Sequence, residues 1–250
     1  MKRLPDWRLY LVTDRGLARG RSIAWVVEAA VRGGVTAVQL REKSCSMRDF
    51  VQLGRELRKL LAPHQMGKLK HAPPKQPDSG NGGACFSLPR IPLIVNDRVD
   101  VALEIGADGV HIGQHDMDPE RARRLMGPDA IIGLSIETVE QARAAVSLDV
   151  DYFGVGPVFA TATKMDAAPP LGVEALAQIR AISRHRVVAI GGIGLENARQ
   201  AIDAGADGVA VVSAICAAED PERAARELRQ AIDEGLRSRP PSSVSRPTHT

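Results

Sequence analysis

The chain has 250 residues, of which 44% are hydrophobic, and this is enough for one sizeable core. Only 3% are aromatic, so aliphatic side chains must fill that core, as they do in parallel sheets covered by helices. The net charge is only +3 and no basic stripe with interleaved aromatic residues is present, which argues against a nucleic-acid-binding protein.

Eight short apolar runs predict β-strands, and amphipathic segments of helical length follow them. The strands are predicted at residues 8–13, 36–41, 92–97, 109–114, 131–136, 152–159, 186–193 and 208–215. The segment SIAWVVEAAVRGG ends in glycine, and Ser46 with Asp49 three residues later predicts a loose capping box. A strand–helix unit repeated eight times predicts an α/β fold, a single (β/α)8 TIM barrel.

Two segments interrupt this pattern. Residues 64–90, between helix 2 and strand 3, are rich in Pro, Gly and Lys and predict a flexible insertion at the face opposite the active site. The composition of residues 237–250 predicts a disordered tail, so the barrel domain is expected to span residues 1–236. The similar phrases EIGADGVHI and DAGADGVAV are interpreted as two helix–Gly–turn–strand joints of the same barrel.

Active sites of such barrels form where the strands end and the following loops begin. After strand 2, in QLREK, alternation places Gln39, Arg41 and Lys43 on one side of the chain. Two cations in a confined mouth require an anion beside them. The alternative is a surface cluster of Arg, Glu and Lys with solvent or helix partners.

Carboxylates end the next two strands. Asn96 and Asp97 follow strand 3, and Asp116 follows strand 4. Neighbouring strands lie about 4.8 Å apart, so both carboxylates can reach one ion, and hard oxygen ligands in small number suit Mg²⁺. The alternative is that both aspartates cap the helices that follow them. His115, beside Asp116, is not taken as a ligand.

The loops after strands 5 and 6 offer hydroxyl groups. Ser135 ends strand 5, where a serine equally suits a cap or a turn. Thr161, Thr163 and Lys164 follow strand 6 and form a reasonable clamp for an anion or phosphate.

A glycine-rich turn, AIGGIG, follows strand 7, and VVSAI lies at strand 8. Barrels often bind phosphate with backbone N–H groups at these two loops. The alternative is a tight turn that needs glycine for its positive φ. Together, the polar residues of the barrel mouth predict two phosphorylated ligands, one of them multiply charged and bound with Mg²⁺.

The motifs, in their order, make the chain recognisable: it resembles the thiamine-phosphate synthase (thiamine-phosphate pyrophosphorylase) family. The resemblance covers residues 9–232 apart from the insertion, and it rests on LYLVTD, VQLREK, LIVNDRVDVALEIGADGVHIGQHD, IGLSIET, GPVFATATK, VVAIGGI and VVSAI. It implies a transferase of thiamine biosynthesis. Such an enzyme condenses 4-amino-2-methyl-5-(diphosphooxymethyl)pyrimidine with 4-methyl-5-(2-phosphooxyethyl)thiazole to give thiamine phosphate and pyrophosphate, by a dissociative, carbocation-type mechanism that depends on Mg²⁺.

The resemblance also implies roles for individual residues. The pyrimidine diphosphate would be bound by Gln39, Arg41, Lys43, Asn96, Ser135 and Lys164, and Arg41, Lys43, Lys164 and Ser135 would be catalytic. Mg²⁺ would be held by Asp97 and Asp116. The thiazole phosphate would be bound by Thr161, Thr163, Gly192, Val212 and Ser213. The chain departs from the family at Ala160, where proline usually precedes the Thr-x-Thr-Lys loop.

Three other functions compete with this one: a thiazole tautomerase on the same barrel, a sugar-phosphate isomerase or decarboxylase, and a non-catalytic phosphate-binding barrel. The expected partners are two small phosphorylated substrates, without nucleic acid or membrane, and a homo-oligomer is left open. No apolar run is long enough for a signal peptide or a membrane span. The three cysteines, Cys45, Cys85 and Cys216, lack metal-ligand spacing and indicate free thiols in the cytoplasm.

Overall fold

The computed structural model describes residues 5–62, 90–161, 163 and 168–239. Eight parallel strands close into a barrel in chain order, which confirms the predicted (β/α)8 fold. The strands are β1 Leu9–Val12, β2 Ala37–Leu40, β3 Leu93–Asn96, β4 Gly109–Ile112, β5 Ile131–Ile136, β6 Tyr152–Val155, β7 Arg186–Ile190 and β8 Gly208–Val211.

Helices alternate with the strands and surround the barrel. Those of the described residues are α1 Ile23–Arg32, α2 Met47–Leu60, α3 Val99–Ile105, α4 Pro119–Met126, α5 Val139–Ala145, α6 Gly172–Ile182, α7 Ala198–Asp203, α8 Ser213–Cys216 and α9 Pro221–Ser238. Ser46 caps α2 as predicted: its hydroxyl accepts the Asp49 backbone N–H at 3.1 Å and donates to the Asp49 carboxylate at 2.7 Å. None of these helices combines the length and the apolar character that crossing a membrane requires.

The strands end earlier than the apolar runs predict. β6 ends at Val155 rather than at residue 159, and β8 ends at Val211, after which Ser213–Cys216 form a short helix. The apolar runs continue because loop residues such as Val158 are buried against the rest of the core although they lie outside the ladder. The predicted site residues that the structure describes after these strands therefore lie outside the sheet, on the loop after β6 and at the start of the short helix after β8.

The predicted insertion, apart from Arg90, lies outside the described residues, as do residues 240–250 of the predicted tail. The last helix continues to Ser238, two residues past the predicted end of the barrel domain at residue 236.

The core has two layers. Aliphatic side chains fill the space between the sheet and the helices. A second cluster fills the barrel interior, where Trp7 packs on the Tyr152 ring with 4.2 Å between ring centroids. The interior is therefore built partly from aromatic residues, although these are rare in the chain.

A polar residue lies directly N-terminal to each even-numbered strand and hydrogen-bonds to the backbone of the preceding strand. Asp207, before β8, accepts the Val187 backbone N–H at 2.9 Å and donates its own N–H to the Val187 carbonyl. The same pair of hydrogen bonds joins Thr36 to Leu9, Asp108 to Leu93 and Asp151 to Ile132. Two of these residues belong to the similar phrases noted in the sequence, which are indeed helix–Gly–turn–strand joints with Gly106 and Gly205 at positive φ.

Replacing Asp207 by alanine is expected to lower the free energy of unfolding by about 3 kcal/mol without changing kcat. The carboxylate is 6% exposed and pairs with Arg180 at 3.2 Å and Arg186 at 2.9 Å, so its loss leaves two guanidinium groups and a strand N–H without it. Urea unfolding measures the change. Asp203→Ala is the matched control, because that carboxylate is 53% exposed and should contribute less than about 1 kcal/mol. Equal stabilities of the two variants would contradict this account.

Candidate active site

Arg41 is held at the barrel mouth by residues that follow β1. Its backbone N–H donates to the Thr13 hydroxyl at 3.1 Å, and its guanidinium donates to the Asp14 carboxylate at 2.9 Å. Glu42, the next residue, is 2% exposed and pairs with Arg15 at 3.2 Å. The Arg41 side chain is 14% exposed, which is a fixed position rather than that of a solvated surface cation.

The carboxylates of Asp97 and Asp116 lie close enough for the charge of Asp116 to act on Asp97. Asp97 adopts a positive φ of 62° and donates its backbone N–H to the His111 carbonyl at 2.8 Å, so its backbone is tied to β4. Asp116 accepts the Gly113 N–H at 2.7 Å. Helix capping does not explain these positions, because the N-cap residues of α3 and α4 are Arg98 and Asp118.

Partial desolvation in the mouth, together with the charge and hydrogen bond of Asp116, raises the pKa of Asp97 to about 6. The hydrogen bond from Asn96 and the charge of Arg41 act in the opposite direction. The repulsion between the two carboxylates is the part of this pKa shift that a bound cation would remove.

The donor set fits Mg²⁺. It consists of two facing carboxylates whose repulsion a divalent ion would relieve, and carboxylate oxygens are the ligands that Mg²⁺ prefers. Among the described residues no third His, Cys, Asp or Glu joins them. This agrees with the way Mg²⁺ is usually bound, by one or two carboxylates with water and phosphate oxygens as the remaining ligands.

In chelator-treated protein at pH 7.5, Asp97→Asn is expected to raise Tm. The folded-state pKa of about 6 lies above the ordinary 3.8, so the folded chain binds the proton more tightly than the unfolded chain does. The contribution of this carboxyl to stability is therefore greatest below pH 3.8, falls as the pH rises to about 6 and stays low above it. Asparagine does not ionise, so the variant does not lose this stability as the pH rises. The difference in Tm between the variant and the wild type should therefore shrink towards pH 4. An Asp97→Asn variant less stable than the wild type at pH 7.5 would contradict the repulsion.

A second group of predicted residues lines one cavity of about 650 Å³. The group comprises Thr161, Thr163, Gly192 and Ser213. The Thr161 hydroxyl accepts the Thr163 backbone N–H at 3.2 Å, which orders this part of the loop. The cavity brings the loops after β6, β7 and β8 together, as a phosphate site at this end of the barrel requires.

Gly192 has features of both a tight turn and a candidate phosphate-binding turn, the two interpretations of the glycine-rich segment. Its φ is 64°, and a Cβ there would overlap the Ala160 carbonyl oxygen, so the turn needs glycine; the residue also lines the cavity. Val212 occupies the N-cap position of α8, which has only four residues. The helix dipole that the sequence suggested at this place is therefore small, and the hydrogen-bond donors left for an anion are the hydroxyls and backbone N–H groups, beside Glu196 and Glu227, which also line the cavity.

A chain of hydrogen bonds crosses the barrel interior and joins Gln39 to Ser135. The Gln39 amide donates to the Tyr10 hydroxyl at 3.0 Å, and the Tyr10 and Tyr152 hydroxyls lie 3.0 Å apart. Tyr152 lies 2.9 Å from Nδ1 of His111, and Nε2 of His111 lies 2.9 Å from the Ser135 hydroxyl. Burial lowers the pKa of His111 to about 4, so the imidazole is neutral at physiological pH.

Asp14, Tyr10, His111 and Tyr152 contact predicted site residues but are not among the residues predicted from the sequence. Asp14 directly follows the predicted strand 1, the same position that marks the candidates on the other strands. The other three lie inside strands and are readily taken for core residues, although their alternation places them on the inner face of the barrel.

Three predicted residues remain. Asn96 ends β3 and pairs in register with His111. Lys43 is exposed on the loop after β2, and Lys164 lies outside the described residues. A larger groove of about 1000 Å³ lies on the outer surface between α2 and α3, and none of the predicted site residues lines it.

Comparisons with known proteins show the family of the chain. Residues 9–68 and 85–215 match the family model for thiamine monophosphate synthase, and the unmatched residues between them fall inside the predicted insertion. The thiamine-phosphate synthase of Albidiferax ferrireducens is 51% identical over 92% of this chain and 94% of its own, and that of Chloroflexus aurantiacus is 48% identical over the same shares.

Solved structures are similar as well. Thiamine phosphate pyrophosphorylase from Pyrococcus furiosus has a TM-score of 0.75 and 36% identity, covering 92% of this chain and 98% of its own. The 3-hexulose-6-phosphate synthase of Salmonella typhimurium has a TM-score of 0.61 and 19% identity over 91% and 99%, and shares the fold. The chain therefore belongs to the thiamine monophosphate synthase family.

Proposed function

We propose that this protein is a thiamine-phosphate synthase that condenses the aminopyrimidine diphosphate with the thiazole phosphate and releases pyrophosphate, with Mg²⁺ bound by Asp97 and Asp116. Thiamine phosphate synthesis, a transferase activity, is what family membership and the curated relatives support. We further propose that it acts in the cytoplasm, where the free thiols of Cys45 and Cys216 would persist.

One observation supports the proposal most directly: the mouth of the barrel holds two groups of polar residues of different kinds. One combines a carboxylate pair with the fixed guanidinium of Arg41 and suits a diphosphate with its metal ion. The other is the second cavity, whose hydroxyls and glycine backbone N–H groups suit a phosphate monoester; Glu196 and Glu227 also line it, so the phosphate is assigned to the hydroxyl and glycine side of the cavity. A reaction between two phosphorylated substrates, only one of which loses its phosphates, needs this asymmetry.

The proposed chemistry places little demand on nucleophiles or bases. The aminopyrimidine ring donates electron density to its exocyclic methylene carbon, so loss of pyrophosphate leaves a stabilised carbocation that the thiazole nitrogen captures. The protein must stabilise the negative charge that develops on the leaving group, and Arg41, Lys43 and Lys164 are assigned this role. Mg²⁺, when bound, would neutralise part of the diphosphate charge.

The remaining residues position the two substrates. Gln39, Asn96 and Ser135 are assigned to the pyrimidine diphosphate, since they surround the mouth on β2, β3 and β5. Thr161, Thr163, Gly192, Val212 and Ser213 are assigned to the thiazole phosphate, because they share or adjoin the second cavity. Holding both substrates at one mouth aligns the thiazole nitrogen with the reacting carbon and excludes water from the cation.

The decisive experiment mixes both substrates with the purified protein, with Mg²⁺ and with excess chelator, and measures thiamine phosphate and pyrophosphate. Both products should form together, and only with Mg²⁺. A thiazole tautomerase would rearrange its substrate without releasing pyrophosphate, a sugar-phosphate isomerase or decarboxylase would use neither substrate, and a binding protein would release no product. Equal turnover in chelator would refute the metal assignment, and absence of both products would refute the proposed function.

A further inference from the structure

We propose that His111 is a positioning residue: locked as its Nε2–H tautomer by Tyr10 and Tyr152, it donates to Ser135 and so turns that hydroxyl's own hydrogen towards the bound pyrimidine diphosphate. This inference rests on the proposed function, because it concerns how Ser135 meets that substrate. It assigns a purpose to three residues inside strands that the mechanism above does not use.

The direction of the hydrogen bonds follows from counting hydrogens. Each tyrosine hydroxyl has a single hydrogen, and Tyr10 already accepts from the Gln39 amide. If Tyr10 donates to Tyr152, then Tyr152 donates to Nδ1 of His111; an accepting Nδ1 carries no hydrogen, so the ring hydrogen is on Nε2, facing Ser135. Every donor in the chain then has an acceptor.

The reverse direction leaves a group unpaired. Tyr152 would donate to Tyr10, whose own hydrogen would have no acceptor within the described part of the chain. Tyr10 is 1% exposed and Tyr152 is fully buried, so water does not replace the missing partner. Burying a hydroxyl without a hydrogen-bond partner is costly, and the order that starts at Gln39 is therefore the stable one.

The barrel makes room for these rings with glycine. A Cβ at Gly154 would lie 2.7 Å from Cε1 of His111, and a Cβ at Gly133 would overlap the phenol ring of Tyr152. Trp7 packs against the other side of Tyr152. Since the rings are confined on several sides, the imidazole is held in one orientation, and its Nε2 lies against Ser135.

Ser135 is the last residue of this chain of hydrogen bonds, and we expect its hydroxyl to contact the substrate. It lies on β5, is partly exposed, and its hydroxyl accepts from His111, so its own hydrogen remains for a second partner. A donor aimed at an oxygen of the departing diphosphate gains strength as negative charge develops there. Loss of the constraint should therefore lower kcat more than it changes KM.

Two substitutions of the same residue separate positioning from structure. The amide of His111→Gln can occupy the place of Nε2, whereas the shorter His111→Asn reaches only the place of Nδ1 and keeps the contact to Tyr152. We expect His111→Asn to lower kcat about 10- to 30-fold with KM for the pyrimidine diphosphate within about threefold, and His111→Gln to recover most of the loss. His185→Asn, at the opposite face of the barrel, is the matched control and should keep the wild-type kcat.

A double-mutant cycle supplies the second readout. If His111 acts through Ser135, then Ser135→Ala should show the same loss, and the double variant should lose no more than either single one. Tyr152→Phe, which keeps the ring in place, tests the chain even if His111→Asn folds poorly. It should lower kcat in the wild type but not in Ser135→Ala.

Multiplicative losses in the double variant, or full kcat in both His111→Asn and Tyr152→Phe beside an impaired Ser135→Ala, would overturn this inference alone. Failure of the wild-type protein to form thiamine phosphate would overturn the proposed function and this inference with it.

Discussion

Replacing Asp97 with asparagine is expected to lower kcat roughly a thousandfold while the protein stays folded. The substitution removes one carboxylate of the facing pair and keeps the shape of the side chain. Asparagine also tolerates the positive φ of 62° at this position, which alanine would adopt only with strain. Steady-state release of pyrophosphate at saturating Mg²⁺ measures the effect.

Metal binding gives an independent measurement on the same variant. Mg²⁺ should raise the Tm of the wild type and shift that of Asp97→Asn much less, because the variant lacks half of the carboxylate pair. Asp118→Asn is the matched control: its carboxylate caps α4 by accepting the Arg121 N–H at 3.0 Å and should affect neither measurement. Full activity of Asp97→Asn, or an undiminished Mg²⁺ shift, would remove the metal assignment.

Arg41→Gln is expected to lower kcat about a hundredfold, since it removes a positive charge that stabilises the leaving diphosphate. Arg41→Lys should recover only part of the lost activity. Its single ammonium group cannot pair with Asp14, as the Arg41 guanidinium does, and contact the substrate as well. Single-turnover rates of pyrophosphate release measure the step directly.

Arg98→Gln is the control for charge alone. Arg98 directly follows Asp97 at the same rim, but its guanidinium is already paired with Asp100. Its kcat should stay within about threefold of the wild type. If the two glutamine variants were equally impaired, the loss would reflect the overall charge of the mouth rather than the position of Arg41.

The barrel was predictable because strand and helix periods differ and alternate eight times along the chain. The strand ends were less so: the run at 152–159 is apolar throughout, yet the ladder stops at Val155 and the rest packs as a loop. Periodicity reports which residues are buried, and burial continues past the point where backbone pairing ends.

The candidate site shows the same division. The closeness of Asp97 and Asp116 follows from the spacing of neighbouring strands, and in the structure the charge of Asp116 raises the pKa of Asp97. The partners of Arg41 and Ser135 do not follow from spacing, because Asp14 and His111 are distant in sequence and their contacts depend on side-chain direction inside a closed barrel. The binding and catalytic roles of all the candidate site residues, and the metal assignment, stay predictions.

The polar residues that precede the even-numbered strands connect the strands in pairs by hydrogen bonds: β1 with β2, β3 with β4, β5 with β6, and β7 with β8. Each pair carries its own share of the chemistry at the other end, from the Arg41 cation on the first to the Gly192 turn on the last. The backbone ladder continues around the whole barrel, so these polar residues add a second connection only within each pair. Because they lie at the face opposite the site, the stability of each pair can change through them without moving the residues at the barrel mouth.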